Sequence, residues 1–284
     1  MKRSKKIWLI IATVFVLAGL GVFAVTMTAV GWDISRLSTV KYAAKTLEIG
    51  ESFDDLSVRV SADDIVLAPS DDSRCRVVCY EDEAYPLTVG VEGRTLTVHS
   101  VNSKNWIDFA ARFSFETPKV TVYLPKKAYA SLNIDVDFGN VDIAEALSFH
   151  DMRIHTAAGN IKCRASCENE LEIKTSAGNL ELTGVEAERA SLATSTGNIH
   201  MNAVICRGQL TADTSTGNIH LNGCDAESLS LKTSTGNVKG TLLSDKVFVT
   251  DTATGTVRVP QTATGGKCEI KTGLGNIDIA IADK

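Results

Sequence analysis

Two histidines, His200 and His220, are the first candidates for chemistry, because each closes an identical heptapeptide, Thr-Ser-Thr-Gly-Asn-Ile-His, at 194–200 and 214–220. In adjacent parallel strands that spacing sets the rings about 5 Å apart, which would suit a metal clip. The same column continues as Asp142, Lys162, Glu181, Lys239, Arg258 and Asp278, a solvated charged face, and Lys239 beside the pair opposes a cation. No metal site is therefore assigned. The best acid–base group is Asp135, Asp137 and Asp142 with His155 one repeat further on. Against glycan cleavage there, residues 131–284 contain no Trp and no Tyr, and sugar rings are commonly held on aromatic platforms. Neither a nucleophile motif nor a phosphate loop is present, so no catalytic residue and no cofactor is expected. The seven cysteines, at 75, 79, 163, 167, 206, 224 and 268, include no CxxC pair, which removes zinc by motif. Cys163, Cys224 and Cys268 fall in apolar columns and read as small core residues. Cys75 and Cys79 lie about 13 Å apart along one strand, too far for a mutual bond. Cys167 and Cys206 are left as free or bridged thiols.

The elements that position these side chains are set by a repeat. Gly-Asn pairs recur at Asn140, Asn160, Asn179, Asn198, Asn218, Asn237 and Asn276, with Gly255-Thr256 standing in once. A period of 19–20 residues marks a solenoid whose coils cannot bury their apolar faces alone. Before each glycine the apolar residues alternate with polar ones, as in Leu171, Ile173 and Thr175 against Glu172 and Lys174, and alternation resumes after the corner. That periodicity of two predicts at least two half-buried strands per coil and excludes helices. We therefore expect an all-β, right-handed parallel β-solenoid, the hand following the crossover rule. Eight coils at about 4.8 Å make a rod about 38 Å long. Glycine at the corner admits unusual backbone angles, and the Asn and Thr columns read as axial hydrogen-bonded ladders.

The chain begins with a short basic tail, residues 1–6, followed by an uncharged apolar run, 7–30. Its length and the lack of a small-x-small cleavage site predict a retained transmembrane helix, with the basic end cytoplasmic and the rest extracytoplasmic. Residues 31–55 read as stalk and lead-in, and 56–284 as solenoid. Asp63-Asp64 occupies the place of Gly236-Asn237 in the first coil. Within this span 68–130 forms an irregular strand-rich insertion or cap, and 131–284 the regular coils. The tyrosines and tryptophans beyond the helix all precede residue 130. Trp106 and Phe109, after the polar run 102–105, form the candidate contact patch, since large aromatics anchor interfaces. Of the 29 basic residues four lie in the first thirty positions, which hold none of the 34 acids, so the outer part is more acidic than the chain's net −5. That balance argues against nucleic acid as a partner and against electrostatic attraction to anionic lipids or anionic wall polymers.

This combination of basic tail, single span, strand-rich lead-in and tandem TSTGNIH-like coils resembles the bacterial putative-adhesin family, which includes LiaG-like envelope proteins. The resemblance covers roughly 44–284 and rests on Ser61 to Ile65 and the eight corners. It implies an extracytoplasmic solenoid that serves adhesion or an envelope-stress system, binding a protein or cell-wall component. The alternative is a carbohydrate-active β-helix enzyme, which release of reducing ends from glycans would reveal.

Overall fold

In the computed structural model the described residues are 3–33, 42–82, 86–100 and 118–282. One unit contains the N-terminal helix, Arg3–Ala29, and the other contains every strand. At 27 residues the helix is about 40 Å long, enough to cross a hydrocarbon layer of about 30 Å. Thr13, Thr26 and Thr28 donate their hydroxyls to carbonyls four residues earlier at 2.7–2.8 Å, so these polar groups are satisfied within the helix. The helix ends in a left-handed turn at Gly31 and Trp32, and the Trp32 ring turns back edge-on to Phe23 at 6.5 Å.

The other unit is all β. Each coil contributes one strand before its Gly-Asn corner and one after it, and the two sets form two facing ladders. In the first ladder Leu132, Met152, Leu171, Ala190, Leu210 and Leu229 are successive in-register partners. In the second, Ile65, Val141, Ile161, Leu180, Ile199, Ile219 and Val238 follow one another. Period-two alternation explains the burial: every one of these residues is buried, while their polar neighbours point outward. Each fully buried Leu or Ile adds about 1.5–3 kcal/mol of transfer free energy, and the two apolar faces meet as one continuous core.

At both ends the stacking departs from chain order. The coil 55–69 lies between the coil that starts at 131 and the strands Thr95–Ser100 and Lys119–Leu124. Those strands carry antiparallel neighbours, Leu87–Glu92 on one and Cys75–Asp82 on the other, with Tyr42–Ile49 beyond Cys75–Asp82. The sheet is thus mixed: parallel through the coils and antiparallel at this end. At the opposite end the sequence order predicts that Gly275-Asn276 closes the stack. Instead Gly266–Leu274 pairs with Leu229–Thr235 on one side and with Lys246–Thr254 on the other, so the last coil in sequence is inserted beneath the one before it. The reason is apolar content. Cys268, Ile270 and Ile277 are buried on that inserted coil, whereas Val247, Val249 and Val257 of the outermost coil remain exposed.

Candidate functional site

The corner column is a chain of hydrogen bonds. The side-chain Oδ1 of Asn140 accepts the backbone N–H of Asn160 at 3.0 Å, and the relation repeats at 2.8 Å through Asn179, Asn198, Asn218, Asn237 and Asn276. At Asn160, Asn198, Asn218 and Asn237 the Nδ2 donates to the same oxygen at 3.2–3.4 Å. Asn237 therefore sits between Asn218 and Asn276, not beside Thr256 as chain order predicts. Asp64 starts the column, accepting from the Asn140 N–H at 2.7 Å and Nδ2 at 3.1 Å. Thr256 ends it, donating its N–H and hydroxyl to Asn276.

The glycine of each corner is required by contact. A Cβ added to Gly217, whose φ is 155°, would lie 1.9 Å from the Gly197 carbonyl oxygen. That same oxygen accepts the Thr214 hydroxyl at 3.0 Å, and Thr194 and Thr233 bond Gly178 and Gly217 alike. The buried Thr column is thus tied to the glycine carbonyls of the neighbouring coil; its hydroxyls do not form the Thr-to-Thr ladder expected from sequence. At the first corner Asp63 replaces glycine. Burial, reinforced by the neighbouring Asp64 charge and opposed by the Ala62 backbone bond, lifts its carboxyl to about 6.

The outward column of the second ladder runs Asp142, Lys162, Glu181, His200, His220, Lys239, Asp278, Arg258. Asp278 thus precedes Arg258, the reverse of their chain order, because of the inserted coil. The His200 and His220 rings are stacked with centroids 4.8 Å apart and planes within 2°. Burial, then the His200 ring and Lys239, holds His220 below the usual histidine range. Beside them runs a second outward row, in which Asn222 Nδ2 donates to Asn202 Oδ1 at 2.7 Å and Thr241 Oγ1 accepts the Gly223 N–H at 2.9 Å. Together these rows line a groove of about 840 Å³ that reaches from Glu181 to Asp278. Sequence reading found the histidines but not the groove. Its signal was the pairing of Asn202 with Asn222 at the repeat interval.

The acid–base candidates do not converge. Asp135 lies on the first ladder between Arg59, at 3.6 Å, and His155, at 3.5 Å, whereas Asp142 lies beyond the corner on the second, bonded to Arg164 at 2.6 Å. All seven cysteines are buried. Burial pushes the Cys167 thiol up to about 11 and Cys206 to about 12. The in-register neighbours of Cys206 are Ala187 and Ala226, so Cys167 stands a further coil away, beyond disulfide reach. Missed by sequence reading is Lys246, a buried ammonium 2.6 Å from Asp225 and in contact with Ser244. Trp106 and Phe109 lie outside the described residues.

Two facing ladders, stapled corner to corner and bearing rows of outward polar side chains, define a β-solenoid of stacked coils. The chain belongs to the Toastrack DUF4097 family, whose pattern matches residues 53–238. Its fold is similar to that of a putative adhesin from Bacteroides fragilis NCTC 9343, with 19% identity, a TM-score of 0.54, and coverage of 84% of this chain and 97% of that one. It is also similar to a putative lipid binding protein from Parabacteroides distasonis ATCC 8503, with 18% identity, a TM-score of 0.53, and coverage of 86% and 98%. At such identities the likeness is one of fold. No curated protein matches the chain.

Proposed function

We propose that this is a membrane-anchored, extracytoplasmic interaction module, adhesin-like or accessory to an envelope-stress system, that presents its outward rows to a protein or cell-wall component. In this reading the N-terminal helix is a retained anchor with its basic end in the cytoplasm. The coils, of 19–20 residues, wind right-handed. The observation that carries the proposal is the arrangement of the outward side chains in axial rows on a frame whose bonds are internal, which suits a rigid recognition surface. An enzymatic reading is less well supported, since Asp135 and Asp142 lie on different ladders and each is engaged by its own basic partner.

The test is proximity labelling from a ligase fused to the C-terminus in the native cell. Labelled envelope proteins or wall-associated proteins are the expected result. A labelled set drawn from the cytoplasm would overturn the topology, and release of reducing ends from glycans by the purified chain would overturn the non-enzymatic assignment.

A further inference from the structure

The groove over His200 and His220 holds polar groups that the fold itself does not use. Neither imidazole has a hydrogen-bond partner among the described residues; their ring contact is with each other. Lys239, next in the column, makes no ion pair among the described residues. The carboxylates that bracket these three differ: Glu181 is held by Lys162 at 3.3 Å, and Asp278 lies between Lys239 and Arg258. The centre of the groove is thus a short run of three nitrogen-bearing side chains with acids only at its ends. One metal ion does not fit the pair. Equivalent nitrogens of parallel rings one coil apart lie about as far apart as the centroids, 4.8 Å, whereas two imidazoles on one tetrahedral zinc bring theirs to about 3.3 Å. Two donors so spaced, with an ammonium beside them, match an anionic group that accepts one hydrogen bond from each.

The flanking row says what carries that group. Asn202, Asn222 and Thr241 keep free bonding capacity after their internal bonds: the Asn202 amide N–H groups, the Asn222 carbonyl oxygen and the Thr241 O–H. With Thr183 they set amides and hydroxyls parallel to the charged row for about 14 Å, the span of three coil intervals. We propose that this groove binds an anionic saccharide, with its carboxylate on His200, His220 and Lys239 and its hydroxyls on the Asn202–Asn222 row. The terminal acids set the charge density. A glycan with a charge on every sugar meets Glu181 at one end and Asp278 at the other, so the groove takes a sparsely charged one.

This site deepens the interaction-module reading and rests on it. Binding is linked to pH. The bound carboxylate favours the imidazolium form of His220, which burial, the His200 ring and Lys239 oppose in the free protein; Glu181 is engaged by Lys162, and Asp278 stands beyond Lys239 in the column. By reciprocity, affinity strengthens as pH falls through the histidine range.

The chain has five histidines, so ring resonances of the full-length protein in detergent, labelled at histidine, can be followed singly. Glucuronate, glucose and acetate are the probes. Glucuronate is expected to move His200 and His220 saturably while leaving His99, His150 and His155 in place, and to bind about tenfold more tightly near pH 6 than near pH 7.5. Lys239→Met is expected to weaken it about tenfold at unchanged thermal midpoint. Acetate and glucose should each bind far more weakly. No saturable shift, equal shifts at all five histidines, or glucose matching glucuronate overturns the anionic site. Acetate matching glucuronate overturns the saccharide assignment. A protein that still labels envelope partners but ignores glucuronate refutes this proposal alone.

Discussion

Asn218 sits in the middle of the corner column, so Asn218→Ala measures what the column contributes. Its Oδ1 accepts the Asn237 N–H at 2.8 Å and Asn237 Nδ2 at 3.2 Å, and its own Nδ2 donates to Asn198 at 3.2 Å. Truncation leaves a partly buried N–H of Asn237 without its acceptor and deletes two longer amide bonds. An orphaned donor costs about 1–3 kcal/mol and each net bond contributes about 0.5–1.5 kcal/mol, but water reaches the half-exposed corner, which places the total at about 2–3 kcal/mol. Asn218→Asp separates the terms. It keeps an acceptor for Asn237, as Asp64 does for Asn140, but loses the donor and turns a carboxylate oxygen toward Asn198 Oδ1. Its loss should be about half that of alanine. Urea unfolding of the full chain in detergent, followed by far-ultraviolet circular dichroism, gives the free energies. Because stacked repeats can unfold in stages, hydrogen exchange at the Asn237 amide supplies a local measure. An alanine variant within about 0.5 kcal/mol of the parent, with that amide equally protected, would refute the reasoning and make the column a solvated turn.

Gly197→Ala should be far more damaging, since the new Cβ would lie 1.9 Å from the Gly178 oxygen that already accepts Thr194; a loss above about 3 kcal/mol or failure to fold is expected. Gly90→Ala, with nothing within 4 Å of the new Cβ, should cost under about 1 kcal/mol by the same urea assay. Asp63 holds its proton more tightly when folded, near 6, than when unfolded, near 4, so its contribution is fully favourable below about pH 4 and declines as pH rises to about 6. Asp63→Asn should therefore stabilise the protein by about 2–3 kcal/mol at neutral pH and not at pH 4, and a pH-independent difference would count against it. Asp225→Asn leaves the buried Lys246 ammonium without its counter-charge and should cost about 3 kcal/mol. Lys246→Met should cost less, because Asp225 keeps the Ser244 hydroxyl and the Ala226 N–H; equal losses in thermal denaturation would argue against the burial asymmetry.

The strands were legible in sequence because one-sided burial imposes a period of two, and the coils because each must present the same face to its neighbours. Leu171-Ile173-Thr175 and its counterparts carry both signals in a few residues. Stack order was not legible, because every coil offers nearly the same edge. Nothing local in Lys246–Thr254 says that another strand will come between it and Leu229–Thr235. The groove escaped for a related reason. Its lining depends on how Asn202 meets Asn222 across coils and on which coil brings Asp278 beside Lys239. The Lys246–Asp225 pair joins residues from coils whose adjacency follows only from the full path of the chain.

The two corners that lack asparagine make sense once the true order of coils is known. An interior rung must donate toward the preceding coil and accept from the following one, and the Asn amide does both. Asp64, at the start, has only to accept, and a carboxylate does so with its oxygen 2.7 Å from the Asn140 nitrogen. Thr256, at the end, has only to donate, and its N–H and short hydroxyl both reach Asn276. In chain order Thr256 would stand between Asn237 and Asn276, where a single hydroxyl would have to replace an amide that serves both sides. The insertion of the last coil removes that demand. It also places the chain's final apolar set, Cys268, Ile270 and Ile277, under a neighbour on each side, so that the C-terminal coil is paired along both edges. Unravelling that coil must break two ladders, and among the described residues the outer edge of the stack is carried instead by residues 246–258, which continue in the chain on both flanks.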